Sequence, residues 1–319
     1  MLLKLLHYFF YFLLITSMGA YGQAINRYNP DTALTVVIDK DVIKSARAGL
    51  YVEDFINEIV NDTSFYEAFR DMKKYNFTAE NTVLTYDNQN IVNGKIYRKI
   101  LHQNATTNKM MYLINQTSGK LYKRNGNYQL YTLEMFDYIF TNAYNTGFST
   151  SSSKTTSAKV SKNGNYKDKL KTLIFSPGKP ITGIPFIASK TQIFDKDMRK
   201  NYNYSFASGI YLDSIPIYRF KVVVNPDISD WTKNGIMIKE LTTIFDKRNF
   251  QILGRYIDMK MDNFAFSFDV QMNIEMSYIN KVLLPTKISY HGNWDIPFKK
   301  PENASFLVVH KGYTLLTQK

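Results

Sequence analysis

Between residues 264 and 278 the chain alternates between bulky apolar residues and, apart from Ala265, polar ones. Phe264, Phe266, Phe268, Val270, Met272, Ile274, Met276 and Tyr278 share one parity, while Ser267, Asp269, Gln271, Asn273, Glu275 and Ser277 hold the other. Side chains on a strand point to opposite faces in turn, so this pattern predicts one apolar edge and one polar edge facing water. On a helix the same residues would spread around the circumference and bury nothing coherent. At about 3.3 Å per residue the strand would run about 50 Å. That is roughly twice the usual strand length, and a sheet built around it must twist and curve.

Helical spacing is confined to short pieces. Val52, Phe55, Ile56, Ile59 and Val60 recur at three and four residues; the interruption at 61–63 is followed by Phe65, Phe69 and Met72. Ser64 and Glu67 have the spacing of a capping box that opens the second helix. From Tyr75 onward strands are expected near 82–86, 94–102 and 109–115. Asn125-Gly126 marks a hairpin turn, since a tight primed turn needs positive φ. Thr132 is the expected cap of a helix over 133–144. Further strands are predicted over 204–212, 217–224, 236–245, 250–261 and 283–294, with a helical turn at 196–200. The fold class expected is α+β: a strongly curved antiparallel sheet, an unclosed β-barrel, covered by short N-terminal helices.

The first residues have the layout of an export signal. Lys4 supplies the positive start, residues 5–15 an apolar core, and Ala20-Tyr21-Gly22 a small-residue cleavage site. Cleavage near Gly22 would leave 23–319 as one exported domain, periplasmic or secreted. The chain has no cysteine, so neither acylation at cysteine nor a disulfide framework is available, and the core alone must stabilise it. Residues 147–164 are rich in Ser, Thr and Lys, which predicts an exposed flexible loop.

The formal charge is +13. Such a balance favours anionic envelope components as partners; export argues against nucleic acid. Catalytic patterns are sparse. His102, His291 and His310 have no metal-ligand spacing, and no nucleotide-binding loop or nucleophile elbow occurs. His291 near Asp295 reads as a surface histidine at a strand end, and Asp54/Glu58 and Asp258/Asp262 as solvated pairs. Neither a metal nor a cofactor is expected, and the chain is read as non-enzymatic. The candidate ligand surface is the apolar row Phe264, Phe266, Phe268, Val270, Met272, Ile274 and Met276, suited to a lipid or a lipid-modified partner. The alternative is that helices 52–74 fill that space and the basic exterior meets anionic glycan or other envelope material.

Four segments carry a family likeness: 61–69 (NDTSFYEAF), 122–128 (YKRNGNY), 174–178 (IFSPG) and 283–288 (LLPTKI) leading to Gly292-Asn293-Trp294. In these the chain resembles an exported bacterial protein group of unknown function. In its overall pattern it is similar to the periplasmic lipoprotein-carrier (LolA-like) superfamily. That resemblance implies an unclosed barrel lidded by helices over an apolar cavity for acyl chains. It assigns no ligand-contacting residue here.

Overall fold

A computed structural model describes residues 36–38, 51–104, 109–141, 175, 177–178, 188–262, 267–295 and 300–316. The proposed signal, the 147–164 loop and the residues Phe264 and Phe266 lie outside them. The alternation predicted from sequence is seen as β9, Ser267–Ile279.

The chain opens with the three-residue β1, Val36–Ile38, then helices α1 (Val52–Asn61) and α2 (Ser64–Asp71). Three strands follow: β2 (Tyr75–Tyr86), β3 (Val92–Gln103) and β4 (Lys109–Gly119). Helix α3, Tyr131–Phe136, continues as a π turn, Asp137–Thr141. After the short α4 (Lys196–Arg199) come β5 (Tyr202–Tyr211), β6 (Ile215–Val224), α5 (Asp230–Gly235), β7 (Ile238–Asp246) and β8 (Ile252–Asp262). Beyond β9 lie β10 (Val282–Asp295) and β11 (Glu302–Leu315). Among the described residues, eleven strands join one antiparallel sheet in the order β1-β5-β6-β7-β8-β9-β10-β11-β2-β3-β4. The sheet is curved and open, ending at β1 and β4.

β11 was not foreseen, and it makes the sheet continuous. It pairs with β10 on one side and β2 on the other, joining the early meander to the late one. Its alternation is masked because Leu307 and Val309 occupy the face opposite the buried Phe306 and Val308. Pro285 falls at a bulge in β10, where the missing N–H breaks no ladder bond. Its carbonyl accepts from His310 Nδ1 (3.1 Å) and from the Tyr313 hydroxyl (2.6 Å).

One row of cross-strand partners shows which face carries the core. It runs Phe206, Phe220, Thr243, Arg255, Ile274, Ile288, Val308, Asn81, Arg98, from β5 across to β3. The helices lie on this face. Phe55 of α1 stacks on Phe220 at 5.0 Å, with Phe206, Tyr218, Phe245 and Phe250 around it. Phe65 of α2 lies over the Arg255 guanidinium at 4.4 Å, and Phe136 and Phe140 meet Phe306 at 4.6 and 5.2 Å. The expected covering by N-terminal helices is therefore present, and α3 extends it.

Two local expectations change. The second helix is started by Asp62, not Ser64: its carboxylate accepts from the Ser64 N–H (3.0 Å) and the Phe65 N–H (3.1 Å). The polar edge of β9 does not face water along its length either. Asn273 is fully buried and Glu275 nearly so. Burial of Glu275 is tolerated because its cross-strand partner Lys287 reaches it at 3.1 Å and Asn273 Nδ2 donates to it at 2.9 Å.

Candidate binding cleft at one end of the sheet

An antiparallel meander returns alternate turns to the same end. At the end where β2, β4, β8 and β10 finish and β3, β9 and β11 begin, two hollows of about 490 and 1330 Å³ open side by side. They share a wall made of Tyr86, Asp87, Asn88, Pro301, Glu302 and Asn303.

The shared wall is held by local chemistry. The Asp87 carboxylate accepts from the Gln89 and Ile91 N–H groups at 2.9 Å each, which closes the β2–β3 turn. Asn90 sits in that turn at φ 61°, a conformation asparagine tolerates better than most residues. Asn303 Nδ2 donates to Asn90 Oδ1 at 2.8 Å, tying the turn to β11. Asn303 Oδ1 is shielded and accepts no hydrogen bond among the described residues. Glu302 accepts from the N–H groups of Tyr131 and Thr132, both at 2.8 Å, and so starts α3. Thr132, the expected cap, is instead inside the helix.

The smaller hollow has an aromatic wall. Trp294 stacks on Phe268 at 4.9 Å and donates its indole N–H to the Tyr290 hydroxyl at 2.8 Å. That arrangement needs a glycine at 292, where a Cβ would lie 2.1 Å from the Tyr290 hydroxyl oxygen. Burial pushes the Tyr290 hydroxyl well above its ordinary value, so it stays protonated. Lys260 and Asp269 pair across the rim at 3.1 Å.

The larger hollow is bounded by the 121–131 hairpin. Gly126 takes φ 83° there, but Asn125 does not share the positive φ, so the chain reverses without the tight primed turn that the Asn-Gly pair predicts, and only Tyr122 and Tyr128 form a bridge. Arg98 anchors this wall from below. It donates to Asp137 Oδ1 (3.0 Å) and to the hydroxyls of Tyr128 (2.7 Å) and Tyr122 (3.0 Å). The Tyr128 hydroxyl in turn donates to Asp137. Burial works against the Arg98 charge, but Asp137 and the tyrosine hydroxyls outweigh it and hold the proton firmly.

Among the described residues, the two hollows together carry six carboxylates (Asp87, Glu134, Asp262, Asp269, Asp295, Glu302) against four lysines. The chain as a whole has 40 basic and 27 acidic residues, so the acid excess is local.

The predicted apolar row is placed differently. Phe268 reaches the cleft, while Val270, Met272, Ile274 and Met276 run away from it beneath the helices at 0–3% exposure. His291 is half-buried, and burial lowers its pKa; the carboxylate acting on it is Asp269 rather than Asp295. His102 and His310, far apart in sequence, meet around Phe77 at the opposite end, with ring centroids 4.4 and 5.5 Å from it. Among the described residues no group of three metal-capable side chains is found. The residues missed from sequence are Glu302 and Asn303; counting strand ends would have placed them beside the 87–90 turn, had β11 been recognised.

No family model matches the chain, and no curated protein resembles it at a significant level. A solved structure of a DUF1329 family protein from Desulfovibrio piger aligns with 79% of this chain and 94% of its own, at 8% sequence identity and a TM-score of 0.21.

Proposed function

We propose that the chain is an exported, non-enzymatic binding protein whose ligand occupies the cleft at the turn end of the sheet. The apolar face serves as its core, and the basic exterior meets anionic envelope components. The observation that carries this reading is the pair of hollows sharing one wall, lined by the ends of seven different strands and rimmed by aromatic and amide side chains. An empty chamber large enough for an acyl chain would leave its lining accessible to water; Val270 to Met276 on the apolar parity are closed off. Hydrogen exchange in the presence of a detergent-solubilised envelope fraction tests the assignment. Protection should appear at 86–91 and 300–303. Protection confined to α1 and α2, or none, would overturn it.

A second reading has one observation in its favour. Met261, Phe268 and Trp294 carry the apolar surface into the smaller hollow, which offers an entry for a lipid or a lipid-modified partner. That reading requires α1 and α2 to lift from the sheet. Native mass spectrometry of the protein mixed with phospholipid or a lipoprotein would show an acyl-bearing adduct if it holds.

A further inference from the structure

We infer that the cleft takes a glycan without acidic sugars, a conclusion that rests on the cleft being the ligand site. Three features of the lining point to this chemistry. Among the described residues, six carboxylates against four lysines make the cleft acid-rich on a basic protein, so a polyanion that suits the exterior is disfavoured inside. Its uncharged polar groups are mostly amides, among them Asn88, Gln129, Asn293 and Asn303. An amide both donates and accepts, as a sugar hydroxyl does, whereas a lysine-lined site offers donors alone. Asn303 stands on the shared wall, and its shielded Oδ1 has no hydrogen-bond partner among the described residues, an acceptor that a sugar hydroxyl would satisfy once the wall shifts to admit it.

Aromatic surface completes the match. Tyr86, Tyr128, Tyr131 and Trp294 border the hollows, supplying aromatic surface of the kind that packs on the C–H side of a pyranose ring. Trp294 is held in position by its indole hydrogen bond and by Phe268, so its ring is preorganised before any ligand arrives. A ligand seated on the shared wall can contact both hollows, which suits a chain of sugars better than a single one. A free amino sugar would gain further from the carboxylates.

The protein has only two tryptophans, Trp231 and Trp294, and Trp231 is 87% exposed on α5. In a Trp231→Phe background Trp294 is therefore the sole indole reporter, and it sits on the cleft wall. The full chain would be titrated with chitohexaose, cellohexaose and maltohexaose, and with a galacturonate hexamer as the acidic counterpart. Saturable change in Trp294 emission with at least one uncharged hexasaccharide is expected, with little dependence on salt. Asn303→Ala and Asn88→Ala should each weaken it by about ten-fold, the loss of one hydrogen bond in a shielded site. Thermal unfolding of both variants separates lost binding from lost folding. The inference is overturned if no uncharged hexasaccharide binds, if the galacturonate hexamer binds as tightly, or if both folded variants bind undiminished. In any of these cases, exchange protection of the cleft by the envelope fraction would leave the ligand site standing and only its sugar chemistry wrong.

Discussion

Glu302 holds Thr132 at both its N–H and its hydroxyl, at 2.8 and 2.7 Å, across 170 residues of sequence. The same carboxylate oxygen makes both contacts, while the other takes the Tyr131 N–H. A strand residue thus supplies the cap that α3 lacks locally. Helix starts leave N–H groups without intrahelical partners, and a negative charge there also suits the helix dipole.

Glu302→Ala should therefore destabilise the fold by about 1–2 kcal/mol, the usual cost of losing a side-chain cap. Glu302→Gln keeps an acceptor but loses the charge, and should cost about half as much. Urea denaturation measures the difference, and faster hydrogen exchange at 131–136 would locate it. Equal stability of all three proteins would contradict the capping role.

The paired histidines at the other end make stability depend on pH. Burial lowers His102 to about 4; burial, then the nearby His102, lowers His310 to about 3, against the opposing pull of the Pro285 carbonyl. The folded state keeps both rings neutral, whereas the unfolded chain takes up protons near pH 6.5. Their contribution is thus complete above pH 6.5 and is lost as pH falls from there, toward about 4 for His102 and about 3 for His310. Each ring adds about 1.4 kcal/mol per pH unit to the slope within that window. His102→Leu should flatten the dependence by one ring's share when urea midpoints are compared at pH 7.5, 6 and 5.

Gly119 and Gly126 both have positive φ, at 82° and 83°, but differ in surroundings. A Cβ at 119 would lie 2.1 Å from the Asn93 carbonyl oxygen, which is backbone and cannot yield cheaply. A Cβ at 126 would meet nothing within 4 Å. Gly126→Ala should cost about 1 kcal/mol, the conformational penalty alone. Gly119→Ala should cost at least twice that, about 2 kcal/mol or more, since the β3–β4 register must shift. Comparing the melting temperatures of the two variants checks the contrast.

Arg255 is a charge buried in the sheet-to-helix interface, stacked on Phe65 and donating to the Phe175 carbonyl at 3.1 Å. Burial lowers its pKa to about 10, a cost only partly offset by Asp62. Arg255→Ala would leave a void under α2 and should cost about 3–5 kcal/mol. Arg255→Met fills most of that volume without a charge to desolvate, and should recover the greater part of the loss. A Met variant no more stable than the Ala variant would show that the guanidinium's polar contacts, rather than its volume, hold this interface.

Periodicity and turn chemistry were legible because they depend on neighbours a few residues away. The alternation at 267–278 and the stripe of Phe55, Ile59, Phe65 and Phe69 act within one or two turns of chain, and each took the form its spacing predicts; the Asn125-Gly126 pair marked a chain reversal but not its turn type. Tertiary structure decided what spacing does not encode. It determined which strand closes the gap between the two meanders, and that Glu302 rather than Thr132 caps α3. It also buried Asn273 and Glu275 on an edge that local polarity assigns to water. In each case the deciding partner lies on another strand or far along the chain, and the energy of burial or of a hydrogen bond depends on that partner's arrival rather than on the residue's own neighbours.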